Sequence, residues 1–453
     1  MNILFIVSDT FRRDNLGCYG GDKVETPHLD RFAKKCVIFD NCYANSFPTM
    51  PARADIFTGR YTYGYLGWAP LPPDEITLAY MLAQAGYLTK AVVDTPFFLR
   101  YGYGYDKGFI DFEWIIGQTC RAGDYTILSD VSRYRRFETD CFAPKTVMAA
   151  ERWLERHRKQ KFFLYVDLWD PHEPWDPPSW YIEKYYPEYD GKPVLGGCYC
   201  HLSEVKEKLG EDGLEEYLER GRACYYGEVT LVDRWVGHLI ETIEAMNLID
   251  ETAIIFTTDH GYYLGEHGYF GKAIQKVEKE GELPSLYRSP LYEEVAHIPL
   301  LIYVPGYKPR RTDSLVSLAD LMPTVLALAG VEIPERVQAY SLKPILDGED
   351  EGRDLVVTTW PIANVGERTR AIDMVERAIK EPQPSTITSG EWSMLYSCQG
   401  EPVELYHLPS DPKQKKNLFH ERRDVAECLL QKFSSHLRDI GVDPRLLKIR
   451  LSF

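Results

Sequence analysis

The stretch NILFIVSD, residues 2–9, decides the fold. Its apolar run, Ile3–Val7, is too short for a signal peptide or a membrane span, so it predicts a buried strand. Asp9 follows this strand directly. Ligands of open α/β sheets bind beyond the carboxyl ends of the strands, so Asp9 is a candidate ligand-facing residue. On its own, a helix or turn cap is the commoner explanation of such an aspartate.

Short apolar runs alternate with helical patterns over about 330 residues. The predicted strands are rich in Val, Ile, Leu and Phe, as in a parallel sheet covered on both faces. They are Ile3–Val7, Leu88–Val93, Phe162–Leu168, Ala253–Thr257 and Pro299–Val304. Helices are predicted at residues 26–34, 76–85, 144–159, 225–246 and 318–329. The alternation predicts a doubly wound α/β sheet.

The composition changes after about residue 350. Short strands are predicted at residues 385–397 and 402–407, followed by a helix at 422–437. We therefore expect a main domain at residues 1–350 and a smaller α+β subdomain at 351–453. Residues 173–222 contain clusters of Pro, Gly and charged residues. We interpret them as an insertion near the face of the sheet where ligands are expected to bind. This insertion is also a candidate assembly surface for a homo-oligomer.

The overall charge excludes some partners. The 453 residues carry a formal charge of −16, from 52 Lys and Arg against 68 Asp and Glu. This balance argues against sequence-independent binding to nucleic acid or to an anionic membrane. The ten cysteines show no paired spacing that would imply a disulfide framework, which suits a reducing compartment. Together with the absence of a basic leader, this predicts a cytoplasmic protein.

Asp259, His260 and Gly261 also follow a predicted strand. If this strand and the first one are parallel and central, Asp9 and Asp259 meet at one edge of the sheet. Two carboxylates and an imidazole are typical ligands of a divalent metal ion. Without a metal the two carboxylates would repel each other and one would stay protonated. A purely structural Asp–His pair is the alternative.

A third group lies between Pro48 and Arg53. Pro51 suits the first turn of a helix predicted at residues 52–57, which places the Thr49 hydroxyl near a helix N-terminus, where anions bind. Arg53 is one turn further along and could bind the same anion. On these residues alone, a threonine N-cap with a solvated arginine is the simpler explanation.

These stretches resemble the sulfatase family of the alkaline phosphatase superfamily. The similarity runs through nearly the whole chain in order: NILFIVSDTFRRDNLGCYG (2–20), TPHLDRFA (26–33), PTMPARADIFTGRY (48–61), WDPHEPWDPP (169–178), YYGEVTLVDRWVGHLI (225–240), TTDHGYYLGEHGYFGK (257–272), LYEEVAHIPLLIYVPG (291–306), LADLMPTVLALAG (318–330) and ELYHLPSDPKQKKNL (404–418). The resemblance implies a large mixed sheet flanked by helices, with a C-terminal subdomain built on an antiparallel sheet.

The resemblance implies one divalent cation, bound by Asp9, Thr49, Asp259 and His260. Many sulfatases have a second aspartate after the first, where this chain has Thr10. That departure is closer to the phosphonate monoester hydrolase and phosphodiesterase branch, and it weakens the case for calcium. Manganese and zinc become plausible because His260 offers nitrogen, and magnesium stays open.

Thr49 stands where the family converts a cysteine or serine to formylglycine. Oxidising threonine would give a ketone, so no formylglycine is expected. Relatives that act on phosphoesters use an unmodified hydroxyl as the nucleophile, and this favours a phosphoester over a sulfate ester. By the same resemblance, Arg53 neutralises the substrate. Lys272 contacts the substrate's non-bridging oxygens or its leaving group, and His172 assists the leaving group as a donor or general acid.

A Gly-Lys-Trp-His motif of many sulfatases is replaced here by Val93–Pro96. Asp94 or Thr95 could therefore face a different leaving group. Tyr63 is a second candidate for lining the substrate pocket, although aromatic packing explains it equally well.

The sequence thus predicts a metal-dependent hydrolase of small phosphate, phosphonate or sulfate esters, with phosphodiesters favoured. A sulfatase acting without formylglycine and an inactive sulfatase-like binding protein are the alternatives. The acidic exterior predicts a small anionic ester rather than a large anionic polymer as substrate.

Overall fold

A computed structural model of the chain describes residues 1–116, 137–191, 199–276, 285–287, 289–362, 375 and 378–453. Its strands are β1 (Asn2–Ser8), β2 (Val37–Tyr43), β3 (Leu88–Val93), β4 (Asp111–Trp114), β5 (Phe162–Leu168), β6 (Cys200–His201), β7 (Thr252–Thr257), β8 (Tyr263–Leu264), β9 (Tyr269–Gly271), β10 (Ile274–Lys276), β11 (Ser285–Tyr287), β12 (His297–Tyr303), β13 (Arg310–Ser317), β14 (Val356–Thr359), β15 (Ser385–Ser389), β16 (Trp392–Tyr396) and β17 (Glu404–His407). Its helices are α1 (Pro27–Ala33), α2 (Thr49–Thr58), α3 (Leu78–Gln84), α4 (Phe142–His157), α5 (Ser179–Glu183), α6 (Leu202–Ala245), α7 (Glu293–Ala296), α8 (Leu321–Ala329), α9 (Lys343–Asp347), α10 (Arg423–Asp439) and α11 (Pro444–Lys448).

The chain forms two compact units that interleave along the sequence. The first unit comprises Met1–Ile38, Leu82–Tyr287 and Pro299–Arg311, and the second comprises Phe39–Met81, Arg288–Ile298 and Thr312–Phe453. These units do not coincide with the ranges 1–350 and 351–453, which stay a prediction about domains. The described part of the 173–222 insertion belongs to the first unit and supplies α5, β6 and the beginning of α6.

The first unit is built on a mixed sheet with the strand order β12-β7-β1-β5-β3-β4. Strand β1 runs parallel to both β5 and β7, and β3 runs parallel to β5 and β4. Strand β12 runs antiparallel to β7, so the last predicted strand departs from the parallel arrangement. The large mixed sheet flanked by helices, which the resemblance implied, is confirmed.

Every residue of β1, β5 and β7 is buried, because both faces of the sheet are covered. Alternate residues of these strands share one apolar cluster with helices α4 and α6. Burying each large aliphatic side chain contributes about 1.5–3 kcal/mol, which fixes the register of the central strands. Representative members are Leu4, Ile6, Leu164, Val166, Ile254, Phe256, Trp153 and Leu239.

The second unit contains a four-stranded antiparallel sheet in the order β14-β15-β16-β17. Gly390, with φ of 54°, lies in the tight turn between β15 and β16, where a left-handed conformation is needed. Buried residues of this sheet pack with those of α10, including Ile387, Met394 and Phe433. The predicted antiparallel C-terminal sheet is therefore confirmed.

No helix in the described ranges is both long enough and apolar enough to cross a membrane.

Candidate active site

The carboxyl ends of three adjacent parallel strands form the polar edge of the first unit. Asp9 directly follows β1, Asp259 and His260 follow β7, and His172 follows β5. Because β1 lies between β5 and β7, these residues come to the same edge, as their positions after the strands predicted. The backbone amide of Asp9 donates a hydrogen bond of 2.8 Å to the carbonyl of Leu168, which ties the ends of β1 and β5 together.

Asp9, Asp259 and His260 form one cluster, called here the acidic cluster. Each offers one ligand atom, and these atoms all lie within 4.8 Å of one another. All three side chains are fully buried. Two carboxylates this close would repel in the absence of a cation or a shared proton, so the cluster fits a bound divalent ion.

Backbone groups hold Asp259 in place. Its Oδ1 accepts hydrogen bonds from the amides of Thr10 at 3.0 Å and His260 at 2.8 Å. The neighbouring Thr258 hydroxyl donates to the carbonyl of Ser8 at 2.5 Å and accepts from the amide of Phe11 at 3.0 Å. The chain after β1 and the chain after β7 are thus bonded to each other on both sides of the cluster.

The ring of His260 is oriented by its own turn. Its Nδ1 lies 2.8 Å from the carbonyl oxygen of Gly261, which can only accept, so Nδ1 carries the hydrogen. Nε2 then carries the lone pair and lies 3.4 Å from Asp259 Oδ2. Thr10, next to Asp9, has a buried hydroxyl without a hydrogen-bond partner among the described residues, in a left-handed conformation with φ of 55°. The two carboxylates and the imidazole nitrogen of the acidic cluster suit a divalent cation.

Lys272 and His172 form a second feature of the edge, called here the lysine–histidine pair. Lys272 Nζ lies 2.8 Å from His172 Nε2 and 3.4 Å from His260 Nε2. Both residues of the pair are buried, at 7% and 6% exposed. The indole of Trp169 stacks on the His172 ring with centroids 3.7 Å apart. An ammonium group is thereby held beside the acidic cluster.

The imidazole of His172 is neutral in this pair. Burial, followed by the nearby Lys272 ammonium, lowers the pKa of His172 well below its ordinary value. His172 Nδ1 lies 2.8 Å from the carbonyl oxygen of Glu173 and carries the ring hydrogen, so Nε2 accepts from Lys272. In this arrangement His172 Nε2 accepts rather than donates, and the role of His172 as a donor to the leaving group stays a prediction.

Thr49 and Arg53 lie in the second unit, at the start of α2. The helix begins at Thr49 rather than at the predicted residue 52, because Pro51 is tolerated within the first turn. Pro48 occupies the N-cap position, and Arg53 is fully buried, so the picture of a threonine cap with a solvated arginine is wrong. Arg53 Nη1 donates to the carbonyl of Thr49 at 3.1 Å. Their place beside the acidic cluster stays a prediction.

Residues 1–331 match the Sulfatase family model, and residues 281–440 match a model described as N-sulphoglucosamine sulphohydrolase, C-terminal. The chain belongs to the sulfatase family. It is therefore a sulfatase-family hydrolase that acts on ester bonds.

This sulfatase-family chain is 26% identical to the arylsulfatase of Clostridium perfringens, with 95% of this chain and 94% of that enzyme covered. It is 27% identical to the N-acetylglucosamine-6-O-sulfatase of Bacteroides thetaiotaomicron, over 92% of this chain and 82% of that enzyme. The crystal structure of the phosphonate monoester hydrolase of Agrobacterium radiobacter has the same fold, with a TM-score of 0.73 at 22% identity over 97% of this chain and 95% of that one.

Two residues of this sulfatase-family chain that replace the Gly-Lys-Trp-His motif have internal partners. Thr95 donates its hydroxyl to Asp167 Oδ1 and is fully buried. Asp94 accepts from the amide of Trp169 at 2.5 Å and from the hydroxyl of Thr146 at 2.8 Å. Burial, then the neighbouring Asp170, raises the pKa of Asp94 well above its usual range. Asp94 thus supports the backbone of the tryptophan that stacks on His172, while substrate contact by Thr95 stays a prediction.

Tyr63 lies in the apolar core of the second unit. It is fully buried, and its hydroxyl lies 2.5 Å from His436 Nε2. Packing therefore accounts for Tyr63, and no described contact of this side chain supports the predicted role in substrate binding.

Sequence reasoning missed two residues that contact the lysine–histidine pair or its partners. Glu173 directly follows His172, and Tyr199, from the described part of the insertion, donates its hydroxyl to Glu173 Oε1. The only sequence signal was the place of Glu173 inside the WDPHEPW stretch, next to a residue already singled out. Tyr199 has no such signal, because it is 26 residues away from Glu173.

Proposed function

We propose that this sulfatase-family protein hydrolyses small phosphate, phosphonate or sulfate esters, with phosphodiesters favoured, and that the Thr49 hydroxyl is the nucleophile. The observation that carries the proposal is the acidic cluster with a buried lysine ammonium beside it, since Lys272 Nζ lies 3.4 Å from His260 Nε2. A buried arrangement of this kind suits an anionic ester whose charge increases during the reaction.

Asp9, Asp259, His260 and Thr49 would hold the divalent ion. When bound, such an ion supplies positive charge that lowers the pKa of a ligating hydroxyl and neutralises ester oxygens. The imidazole nitrogen of His260 and the missing second aspartate at Thr10 favour manganese or zinc over calcium, and magnesium stays open.

Thr49 and Arg53 would act directly on the ester, as the nucleophile and as a ligand of its non-bridging oxygens. The Thr49 hydroxyl loses its proton to solvent, its oxygen attacks phosphorus, and the bond to the leaving oxygen breaks. Water then hydrolyses the ester formed on Thr49 and returns a proton to the Thr49 oxygen. Arg53 offers guanidinium donors to the non-bridging oxygens, because it lies one helical turn beyond Thr49. Lys272 bears the proton that the leaving oxygen needs, and the lone pair of His172 Nε2 fixes the direction of the ammonium group.

The second candidate is a sulfatase that uses the same threonine without formylglycine. The names of the curated relatives, an arylsulfatase and a sugar sulfatase, favour it. The third, an inactive binding protein, is disfavoured by the buried Arg53 and the lysine–histidine pair, which a mere anion-binding surface does not need. With any of these we propose a cytoplasmic protein, a homo-oligomer assembled through the insertion, and no nucleic-acid or membrane partner.

The test is a substrate panel with the purified protein. Bis-p-nitrophenyl phosphate, p-nitrophenyl phosphate, p-nitrophenyl phenylphosphonate and p-nitrophenyl sulfate would be assayed with Mn²⁺, Zn²⁺, Ca²⁺ or Mg²⁺ added in turn. We expect the diester to give the largest kcat/KM. A clear preference for the sulfate would establish the second candidate instead, and tightly bound metal without turnover of any ester would establish the third.

Replacing Thr49 identifies the nucleophile. T49A should lower kcat by at least about a thousandfold while the bound metal stays, and T49S, which keeps a hydroxyl, should retain measurable turnover. Intact-protein mass spectrometry should give the mass of an unmodified threonine. Steady-state hydrolysis by T49A at the wild-type rate would refute the assignment.

A further inference from the structure

Glu173 is a buried acid next to the lysine–histidine pair. It is 9% exposed, and burial raises the pKa of its carboxyl group, an effect that the Lys272 charge opposes. Its Oε1 accepts the hydroxyl hydrogen of Tyr199. Its Oε2 lies 3.2 Å from His172 Nδ1 and makes no hydrogen bond to any residue that the structure describes. This second oxygen therefore faces the imidazole as an unshared acceptor.

This oxygen is a second acceptor that supports the hydrogen on Nδ1 of His172. Nδ1 faces two acceptors, the Glu173 carbonyl oxygen at 2.8 Å and Oε2 at 3.2 Å. With the hydrogen on Nδ1, Nε2 keeps a lone pair and accepts from Lys272 Nζ at 2.8 Å. With the hydrogen on Nε2, a donor would face the ammonium group and the pair would separate.

Tyr199 of the insertion contacts both Glu173 and the backbone that precedes Lys272. Tyr199 immediately precedes β6, and β6 pairs antiparallel with β9, whose last residue, Gly271, precedes Lys272. Gly271 has φ of 116°, and a Cβ there would lie 2.9 Å from the Cα of Tyr199. The backbone at Tyr199 thus packs against the residue before the lysine, while the Tyr199 side chain holds Glu173.

We propose that Glu173 is a positioning residue for Lys272, acting through the tautomer of His172, and that Tyr199 holds Glu173 in place for this role. The inference rests on the proposed function, because it names the group that aims the lysine at the leaving oxygen. Glu173 acts through His172 and is assigned no direct contact with the ester.

The substitution E173Q removes this control with little change in shape. Because Tyr199 donates its hydroxyl hydrogen, the amide oxygen of the glutamine takes the Oε1 position. The NH₂ group then lies at the Oε2 position, where it faces His172 Nδ1 as a donor. This donor replaces the second acceptor of Nδ1 and weakens the tautomer in which Nε2 accepts from Lys272.

A double-variant kinetic cycle tests the coupling on bis-p-nitrophenyl phosphate and p-nitrophenyl sulfate. E173Q should lower kcat about tenfold with KM nearly unchanged, and it should have no further effect when Lys272 is already methionine, as in K272M. Losses that multiply in the double variant E173Q/K272M would mean that Glu173 acts independently of Lys272, and would overturn the proposal.

Glu151 provides a matched control. It is also 9% exposed, and its Oε1 lies 2.6 Å from the Nδ1 of another histidine, His238, which links helices α4 and α6. E151Q removes the same charge from a second Glu–His pair, whose histidine is exposed, and should leave kcat at the wild-type value. A loss as large as that of E173Q would show a general effect of removing buried carboxylates, which contradicts the proposal.

Crystal structures of the wild type and E173Q give a readout that does not depend on turnover. Lys272 Nζ should move away from His172 Nε2 in the variant. An unchanged pair would overturn the positioning role even if the enzyme is active. Conversely, a wild-type protein that hydrolyses none of the esters refutes the proposed function, while the two structures still decide the role of Glu173.

Discussion

Both units contain buried carboxylates, but the groups that surround those carboxylates differ between the two units. In the second unit, Asp55 accepts hydrogen bonds from the amide and hydroxyl of Ser46 and from the amide and hydroxyl of Thr62. In the first unit, Asp9 and Asp259 share one cluster with His260. Four neutral donors can hold a single carboxylate, whereas two carboxylates together require a cation or a proton. The comparison separates a carboxylate that holds the fold together from carboxylates that create a binding site.

The largest difference should appear when one carboxylate of each kind is neutralised. D259N should lose the bound metal and lower kcat by about a thousandfold, since an ion contributes several kcal/mol of charge stabilisation in the transition state. D55N should keep both the metal and most of the activity. Metal analysis and steady-state kinetics check this, and loss of metal in D55N would abolish the distinction.

The pH dependence of stability should separate the two regions next. Burial raises the pKa of Asp55 to about 7, although hydrogen bonds from Thr62 and Ser46 oppose the rise. Between about pH 4 and 7 the folded state then binds the proton and the unfolded state does not, so the free energy of unfolding falls as the pH rises through this window. The slope due to this group is about 1.4 kcal/mol per pH unit, and D55N should lack it. Urea unfolding of wild type and D55N measures both slopes, and equal slopes would show that Asp55 does not titrate there.

Metal addition should stabilise the first unit through the acidic cluster. An ion present at one hundred times its dissociation constant adds about 2.7 kcal/mol to the free energy of unfolding. Thermal melts with and without Mn²⁺ or Zn²⁺ should therefore show a rise in Tm for the wild type. The same rise in D259N would place the ion somewhere other than the acidic cluster.

The smallest effect is expected from Tyr63. Y63F removes the hydrogen bond to His436 and should lower the free energy of unfolding by about 1 kcal/mol. The value of kcat should not change, because the described contacts of Tyr63 are core contacts. A rise in KM without loss of stability would instead support substrate binding by Tyr63.

The parts of the fold that the sequence predicted well are those in which nearly every residue is buried. Strands β3 and β5 have the predicted bounds, Leu88–Val93 and Phe162–Leu168, because most of their residues are apolar and both faces of the sheet are covered. Strands β2 and β13 were not predicted, because polar residues interrupt their sequences, VIFDNCY and RRTDSLVS. Helix α6 begins at Leu202 instead of residue 225, with a break at Gly210, since its first half is charged and lacks a clear apolar stripe.

The acidic cluster was predictable for a topological reason. Residues that follow neighbouring parallel strands meet at one edge whatever lies between them in the sequence, and this brought Asp9 and Asp259 together. Glu173 and Tyr199 obey no such rule. Their contact depends on how the insertion returns to the strand before Lys272, and no spacing in the sequence encodes that return.

The amide hydrogen bonds from Thr10 and His260 to Asp259 have a consequence for ion size. They form together with the sheet, so the ligands lose their conformational freedom during folding rather than during ion binding. A donor set fixed in this way adapts poorly to a change of ionic radius, whereas calcium sites are usually flexible and rich in oxygen. We therefore expect the backbone of β1 and β7 to discriminate against large cations, which would appear as a smaller rise in Tm with Ca²⁺ than with Mn²⁺ at equal concentration.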